Sequence, residues 1–457
     1  MLNRAKELAT IIKKSKEIHI VTHIDADGIT AGAIASQTLK GLGKEYSLDC
    51  VKQLDDTVLK KLLDDNHELV WFTDLGSSIS SQYPTMNKII TDHHTCPDSS
   101  NHPFHLNPHL FGLDGSYEIS GAGVTYLVSK VIDKNNLKLS ALAVVGACGD
   151  LQEKRWQKLT GMNASVVDDG KLSGVLQVKK DIRYFGRETR PLTKLLQYAN
   201  DPVLPGLSGR EDACVLFLQD LQIPLKEGDR WRRWIDLEKS ERQKIMSSLA
   251  RLLLMKGFGY KNAERILGEV YILKQEEPGT ELHEAKEFAT LLNSTARYGK
   301  HEVGLRVCEG DRGAWLKQAQ NLLQGHRQNL VEGLQFAREE KIQKRKFLQY
   351  FHAGEGIRDT IIGIVTNMLL NSDDVDSSLP LLGFVWTENG DVKVSARTTQ
   401  TMVDKGVDLS SAMKKAAAML NGVGGGHNIA AGATIPKATE EEFLDLLERE
   451  LQHQLSC

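Results

Sequence analysis

Lys88-Ile89-Ile90-Thr91-Asp92-His93-His94 sets a short apolar run directly against one acid and two imidazoles. A run of that length and composition reads as a strand buried on both faces, so the polar triplet falls where the strand ends. The same arrangement occurs twice upstream. Glu17 to Thr22 leads into His23-Ile24-Asp25-Ala26-Asp27-Gly28, and Leu69 to Thr73 leads into Asp74. Ligand-type side chains at three successive strand ends predict a metal site at the carboxyl edge of a parallel sheet. Any one of these loops admits a plainer reading, because Asp is a common helix N-cap. Three in succession, followed by Gly149-Asp150 after another apolar run, call for chemistry.

Outward from these loops, strand and helix patterns alternate from Met1 to about Gly161. Helices are expected at Leu2–Lys14, Thr30–Leu42, Thr57–Asp64 and Ala122–Lys134, with strands at Ile18–Thr22, Tyr46–Val51, Leu69–Phe72 and Lys88–Ile90. The apolar run Ser140–Cys148 closes the segment. This rhythm predicts an α/β fold with a doubly wound, mostly parallel sheet over 1–161. Residues 162–311 read as a mixed, helix-rich insert, within which Asp236–Lys256 has strong helical periodicity. Residues 312–360 read as a connecting helix and linker, with Gly313 to about Phe351 forming one long helix or two collinear ones. Residues 361–457 read as a smaller C-terminal α/β domain, with a hairpin turning at Asn389-Gly390 and a helix at Leu409–Leu420.

The 457 residues suit two to four domains, and a hydrophobic content of 41% is ample for real cores. No apolar run approaches the roughly 20 residues needed to span a bilayer. Met1 to Lys16 is patterned as an amphipathic helix rather than a secretory signal. The six cysteines contain no CxxC pair, which points to reduced thiols in a cytoplasm and to neither a disulfide frame nor a structural zinc. Cys96 and Cys148, near the acidic loops, are read as packing residues. A net charge of −3 means that any nucleic-acid binding comes from a local groove, not from the whole surface.

The candidate ligands are His23, Asp25, Asp27, Asp74, Asp92, His93, His94 and Asp150. Two divalent ions sharing one carboxylate need about this many side chains. Asp25 and Asp27 can each face a different ion, and Asp74, alone at its strand end, suits the bridge. Histidine among carboxylates favours manganese, with magnesium as the alternative ion.

These four motifs, His-x-Asp-x-Asp-Gly, a lone Asp at a strand end, Asp-His-His and a fourth Asp, resemble those of the DHH phosphoesterase superfamily. The resemblance implies one ion on His23, Asp25 and Asp74, and a second on Asp27, Asp74, His93 and Asp150. His94 would then face the scissile phosphate, with Asp92 orienting a neighbouring histidine. Near the other end, Gly422-Val423-Gly424-Gly425-Gly426-His427 precedes Asn428-Ile429-Ala430-Ala431-Gly432, with Ser395-Ala396-Arg397 upstream. This is similar to the signature of the DHH-associated C-terminal domain. It implies that Arg397, Gly424, Gly425, Gly426 and His427 bind substrate through backbone N–H groups and a guanidinium.

Within the superfamily, several stretches resemble the archaeal RecJ-like nucleases. They include Phe185–Leu192, Glu287–Asn293, Ile357–Thr360, Gly121–Tyr126 and Val403–Val407. That resemblance implies a manganese-dependent single-strand exonuclease, 5′→3′ on DNA and with RNA as a further substrate, acting in replication or repair. It also implies the GINS complex and the replicative helicase as partners. The alternatives are a non-catalytic or dual-role helicase scaffold and a small-oligonucleotide phosphodiesterase. Two basic clusters with interleaved aromatics are candidate strand contacts: Lys179, Lys180, Arg183, Arg187 and Arg190 with Tyr184 and Phe185, and Arg230, Arg232 and Arg233 with Trp231 and Trp234; a solvated surface with the aromatics turned inward explains each equally well. Gly257 to Leu267 resembles a helix-hairpin-helix clamp, which a simple glycine turn between two helices also explains.

Overall fold

The Ile18–Thr22 stretch is sealed from solvent at every position, as a central parallel strand requires. The computed structural model describes residues 1–96, 103–370, 372 and 375–456. Its contacts divide the chain into two compact units, Met1–Leu323 and Gln324–Cys457.

In the first unit, five parallel strands form one sheet: β1 (Glu17–His23), β2 (Glu45–Val51), β3 (Val70–Thr73), β4 (Lys88–Thr91) and β5 (His105–Leu106). Their spatial order is β2-β1-β3-β4-β5. The chain moves to one side of β1 for β2 and to the other side for β3, so a topological switch point lies between β1 and β3. Both faces are covered. α1 (Leu2–Lys14), α2 (Ala26–Gly41) and α4 (Gly121–Ile132) enclose one core with Ile20, Trp71 and Ile89. α3 (Asp56–Asp65) covers Val21, Phe72 and Ile90 on the opposite face. Edge strand β2 alternates exposed and half-buried positions, whereas β3 and β4 are buried throughout.

The apolar run at Ser140–Cys148 is not a further strand. It is a helix, α5 (Ser140–Gly149), apolar on nearly every side and buried against α2 and α4. The insert is helix-rich: α6 (Gly161–Leu172), α7 (Leu192–Gln197), α8 (Glu211–Asp220), α9 (Lys239–Met255) and α10 (Gly259–Glu264) accompany β6 (Leu176–Ile182), the short hairpin β7 (Lys226–Glu227) and β8 (Arg230–Trp231), and β9 (Leu267–Leu273). Trp234, Leu249 and Leu253 lie in a separate core there. α11 (Ala285–Arg297) and α12 (His301–Cys308) then return to pack on α2.

The division between the units falls inside α13 (Ala314–Glu339), within the segment expected as the connecting helix. That helix ends well before Phe351. The chain beyond it enters a second sheet through β10 (Gln343–Lys344) and β11 (Gln349–His352). The reason is burial: Leu348, Gln349 and Phe351 are all sealed in the core of the second unit. Its other elements are α14 (Ile362–Leu370), β12 (Leu381–Trp386), β13 (Asp391–Arg397), α15 (Gln400–Asp404), α16 (Leu409–Ala418), β14 (Val423–Gly426), β15 (Ala430–Pro436) and α17 (Glu440–Ser456). The sheet order is β10-β11-β12-β13-β15-β14. β12 and β13 pair antiparallel around Asn389-Gly390, where Gly390 takes a φ of 85° that suits glycine. The glycine run forms edge strand β14.

Five of the six cysteines are free thiols, and Cys457 lies outside the described residues. Among the described residues no helix is long and apolar enough to cross a membrane.

Phe443 of α17 is fully buried with its ring edge-on to Phe384 at 6.3 Å. Phe443→Ala should destabilise the second unit by about 3–5 kcal/mol. Faster amide exchange along β12 and β13 is the expected readout.

Candidate metal centre

The strand ends at the switch point bring the sequence-derived residues together. His23 closes β1, Asp74 follows β3, and Asp92, His93 and His94 follow β4. Asp25 caps α2, its carboxylate accepting from the Gly28 N–H at 3.0 Å, and its other oxygen lies 3.0 Å from His23 Nδ1. Asp25 therefore is the helix cap that the plainer reading expects, and also faces the cluster. Asp150 arrives from the C-terminal end of α5, a helix end rather than a strand end.

Three overlapping sets of potential ligand atoms result. His23, Asp25 and Asp74 form one, Asp27, His93 and Asp150 a second, and Asp74, His93 and His94 a third. In each set the atoms lie within 4.8 Å of one another. Asp74 connects the first two: its two oxygens lie 3.5 Å from His23 Nδ1 and 3.2 Å from His93 Nε2. His93 Nε2 is also 3.7 Å from Asp27 and 3.3 Å from Asp150. Its Nδ1 lies 2.7 Å from the Gly115 carbonyl. A carbonyl only accepts, so Nδ1 carries the proton of the neutral ring and the Nε2 lone pair points into the carboxylates. Asp74 Oδ1 and His23 Nδ1 are buried and have no hydrogen-bond partner.

The surroundings hold these groups in place. Asp27, fully buried, accepts from the N–H groups of Gly121 at 2.6 Å and Ala122 at 3.1 Å, the first free donors of α4. Asp92, also buried, accepts from the N–H groups of Ser77, His93 and His94 and from His94 Nδ1 at 2.8 Å. His94 is thus tethered at one nitrogen, while its side chain is 57% exposed. Asp74 adopts a φ of 58°, rare for a residue with a side chain. A methyl group on Gly121 would collide with the Asp74 carboxylate.

The electrostatics are those of crowded acids. Burial, reinforced by Asp74 and Asp150, raises the Asp27 carboxyl well above its ordinary value. Burial also pushes Asp150 up to about 7, against the pull of His93. At Asp74 burial acts in the same direction, but the His23 and His93 imidazoles beside it outweigh it and hold this carboxyl below the usual range. The imidazoles respond in kind. Burial works against the charge on His23, yet Asp25 and Asp74 raise it to about 11, and Asp74 and Asp150 raise His93 in the same way. Such a set of acids and imidazoles, with an orphaned carboxylate oxygen at its centre, fits divalent cations, which would supply the missing positive charge.

Two residues not assigned a role from the sequence also reach this centre. Asn293 of α11 accepts from the Ala26 N–H at 3.0 Å, between Asp25 and Asp27. Arg297, one turn further along, is largely buried and interacts with Asp25. The stretch Glu287–Asn293 stood out by resemblance, but nothing local to it indicates contact with a loop more than 260 residues away. The Gly115 carbonyl leaves no trace in the sequence at all.

The remaining candidates lie in the second unit. Arg397 ends β13, and its guanidinium donates to the Ala396 carbonyl at 2.8 Å and the Ser395 hydroxyl at 3.2 Å. Gly424, Gly425 and Gly426 pair with Ala433, Gly432 and Ala431 of β15. Gly424 is required by packing, since a methyl group would meet the Met413 carbonyl, whereas one on Gly425 would meet nothing. His427 is exposed at the turn.

The two basic clusters largely turn inward. Arg183 and Arg187 are buried, and Arg187 pairs with Asp181 at 2.6 Å. Arg232 pairs with Glu241, Arg233 with Asp236, and Arg230 with Glu227 and Asp236. Tyr184 and Trp234 are core residues. Only Lys179 and Lys180 of the first cluster are exposed along β6. The helix-hairpin-helix resemblance resolves into α9, a turn with positive φ at Gly257 and Gly259, and the short α10.

Comparison with known proteins agrees with this architecture. Residues 17–149 match the N-terminal domain of the DHH family, 184–267 the DHH-CID domain and 345–453 the DHHA1 domain. An uncharacterized protein of Methanocaldococcus jannaschii is 29% identical over the full length of both chains. Among solved structures, CDC45 from Entamoeba histolytica superposes with a TM-score of 0.67 at 12% identity over 97% of each chain. RecJ in complex with Mn2+ from Thermus thermophilus gives 0.59 at 17% identity over 98% of this chain, which spans 55% of that protein's length. At these identities the likeness is one of fold.

Adding millimolar MnCl2 or MgCl2 should raise the melting temperature of the protein. Gly121→Ala, by displacing Asp74, should abolish most of that rise while remaining folded by circular dichroism.

Proposed function

Because the chain belongs to the DHH superfamily, with DHH, DHH-CID and DHHA1 domains in that order, we propose that it is a manganese-dependent phosphodiesterase acting as a single-strand exonuclease. The observation that carries this reading is the pair of ligand sets meeting at Asp74, with no ligand replaced by an inert residue. His23, Asp25 and Asp74 would hold one ion, and Asp27, Asp74, His93 and Asp150 the other. A bound pair supplies hydroxide near neutral pH and a clamp for the phosphoryl oxygens.

The chain's own groups do the rest. Asp74 bridges the two sets. Asp92 accepts from His94 Nδ1 and so aims the opposite, exposed edge of that ring at the phosphate, where a donor offsets developing negative charge. Arg297, beside Asp25, adds a cation on the side of the first ligand set. Asn293 keeps the Asp25–Asp27 loop in register by binding its backbone. In the second unit Arg397 and the edge of β14 bind the end of the strand. Gly425, whose missing side chain packing does not require, leaves its backbone open to a phosphate. DNA in the 5′→3′ direction is the preferred reading, with RNA as a further substrate and a role in replication or repair. The GINS complex and the replicative helicase are the proposed partners. A purely structural role, as a helicase scaffold, is disfavoured by the complete ligand set.

End-labelled single strands with one end blocked, incubated with MnCl2, should be shortened from the free 5′ end. Asp74→Ala should reduce the rate at least about 10³-fold, in line with the loss of a metal site. Metal-independent cleavage, or full activity of Asp74→Ala, would sink the proposal. Equal rates on a two-mer and a thirty-mer would instead favour a small-oligonucleotide phosphodiesterase. Calorimetric titration should find two Mn2+ per chain, with Asp25→Asn and Asp27→Asn each losing one. Co-purification with GINS tests the partner separately.

A further inference from the structure

The loop that follows Asp150 reads Leu151-Gln152-Glu153-Lys154-Arg155-Trp156-Gln157-Lys158 and joins α5 to α6. It contains no regular element, yet it is firmly held. Gln152 and Glu153 are buried, Gln152 Nε2 donates to the Gly115 carbonyl at 2.9 Å, and Glu153 pairs with Lys286 at 3.0 Å. The Gln157 carbonyl accepts from the Glu269 N–H at 2.8 Å. These anchors turn the intervening side chains outward. Lys154, Arg155, Trp156 and Lys158 are all exposed, Trp156 to 54%.

Trp156 is the most exposed tryptophan among the described residues, ahead of Trp231 and Trp386, whereas Trp71 and Trp234 are completely buried, and an indole left half in water on a well-anchored loop lacks a packing reason. Arg155 lies over the Trp156 ring at 5.1 Å and over the Tyr117 ring at 4.9 Å, so the three side chains form a stack. Among the described residues Lys154, Arg155 and Lys158 make no ion pair. The nearest acids on the Tyr117 loop are engaged within it: Asp114 accepts from the Ser116 N–H, and Glu118 from the Asp114 N–H. The stack is also tied to the metal centre. The Gly115 carbonyl that accepts from Gln152 is the one that fixes the tautomer of His93. Tyr117 follows only two residues later, within about 7 Å along the chain.

We propose that Tyr117, Arg155 and Trp156, with Lys154 and Lys158, form a platform that stacks a base and contacts phosphates of a single-stranded polynucleotide beside the scissile bond. This rests on the nuclease reading above. An aromatic face accepts any base, and free cations beside it suit a phosphate backbone. In the two arginine clusters, by contrast, most of the arginines are paired with acids, and the half-exposed Trp231 has a single lysine, Lys226, over its ring at 4.7 Å.

The test uses the full chain, a fluorescent oligothymidylate with phosphorothioate linkages for binding, and bis-p-nitrophenyl phosphate as a substrate without bases. Trp156→Ala should weaken oligonucleotide binding roughly 5- to 100-fold and raise KM for a single strand with little change in kcat. Trp156→Tyr should recover most of the loss. K154A/R155A/K158A should lower the slope of log K against log salt by about 2, at about 0.7 per cation for single strands. Hydrolysis of bis-p-nitrophenyl phosphate should be unchanged in every variant, which shows that the fold and metal centre are intact. If the parent protein cleaves strands and Trp156→Ala binds and cleaves them equally well, the platform is wrong and the nuclease reading stands. If the parent neither binds nor cleaves, the nuclease reading falls and the platform with it.

Discussion

Three carboxylates drawn within a few ångströms of one buried imidazole are the constraint that the rest of the first unit serves. Like charges at such distances repel, and burial worsens the cost. The fold offsets it with dipoles and donors. The first N–H groups of α4 are aimed at Asp27, three backbone N–H groups and an imidazole converge on Asp92, and a left-handed backbone at Asp74 directs that carboxylate between two histidines. A parallel sheet makes this possible, because its strands all end on one side and its switch point opens a crevice there.

The helices around the centre are packed to the same end. α2, α4 and α5 approach so closely that a methyl group on Gly146 would collide with Asp27 and Thr30, and one on Gly121 with Asp74. α11 closes the arrangement, with Asn293 on the backbone between Asp25 and Asp27. Residues far apart in the chain thus hold one loop in register, which is how a site of short charged side chains acquires fixed geometry.

Much of this was legible in the residues. Apolar runs at Ile18–Thr22, Leu69–Phe72 and Lys88–Ile90 marked buried strands because they are too short for a buried helix and parallel strands covered on both faces carry such runs, and the ligands at their ends followed from that placement. Other readings needed contacts. Ser140–Cys148 was ambiguous because periodicity cannot distinguish a fully buried helix from a buried strand. Leu348–His352 was drawn into a sheet although its flank read as helix, since tertiary burial overrides local propensity. The arginines around Tyr184 and Trp234 looked like a surface for nucleic acid, and acids within about ten residues, such as Asp181 and Glu241, paired with most of them once the loops between had folded. Lys154–Lys158 has the same composition but, among the described residues, no such acids.

The sequence by itself determined that this chain has a parallel α/β unit whose strand ends carry acids and histidines, and a second α/β unit with a glycine-rich edge, because hydrophobic period and side-chain chemistry are local properties. Tertiary structure alone decided which nitrogen of His93 faces the acids, which carboxylates share its field, and, among the described residues, which cations have no acidic partner. Those outcomes depend on a carbonyl at Gly115, the N-terminus of α4 and the path of α11. Directional hydrogen bonds and charge pairing between distant segments exist only once the chain has folded.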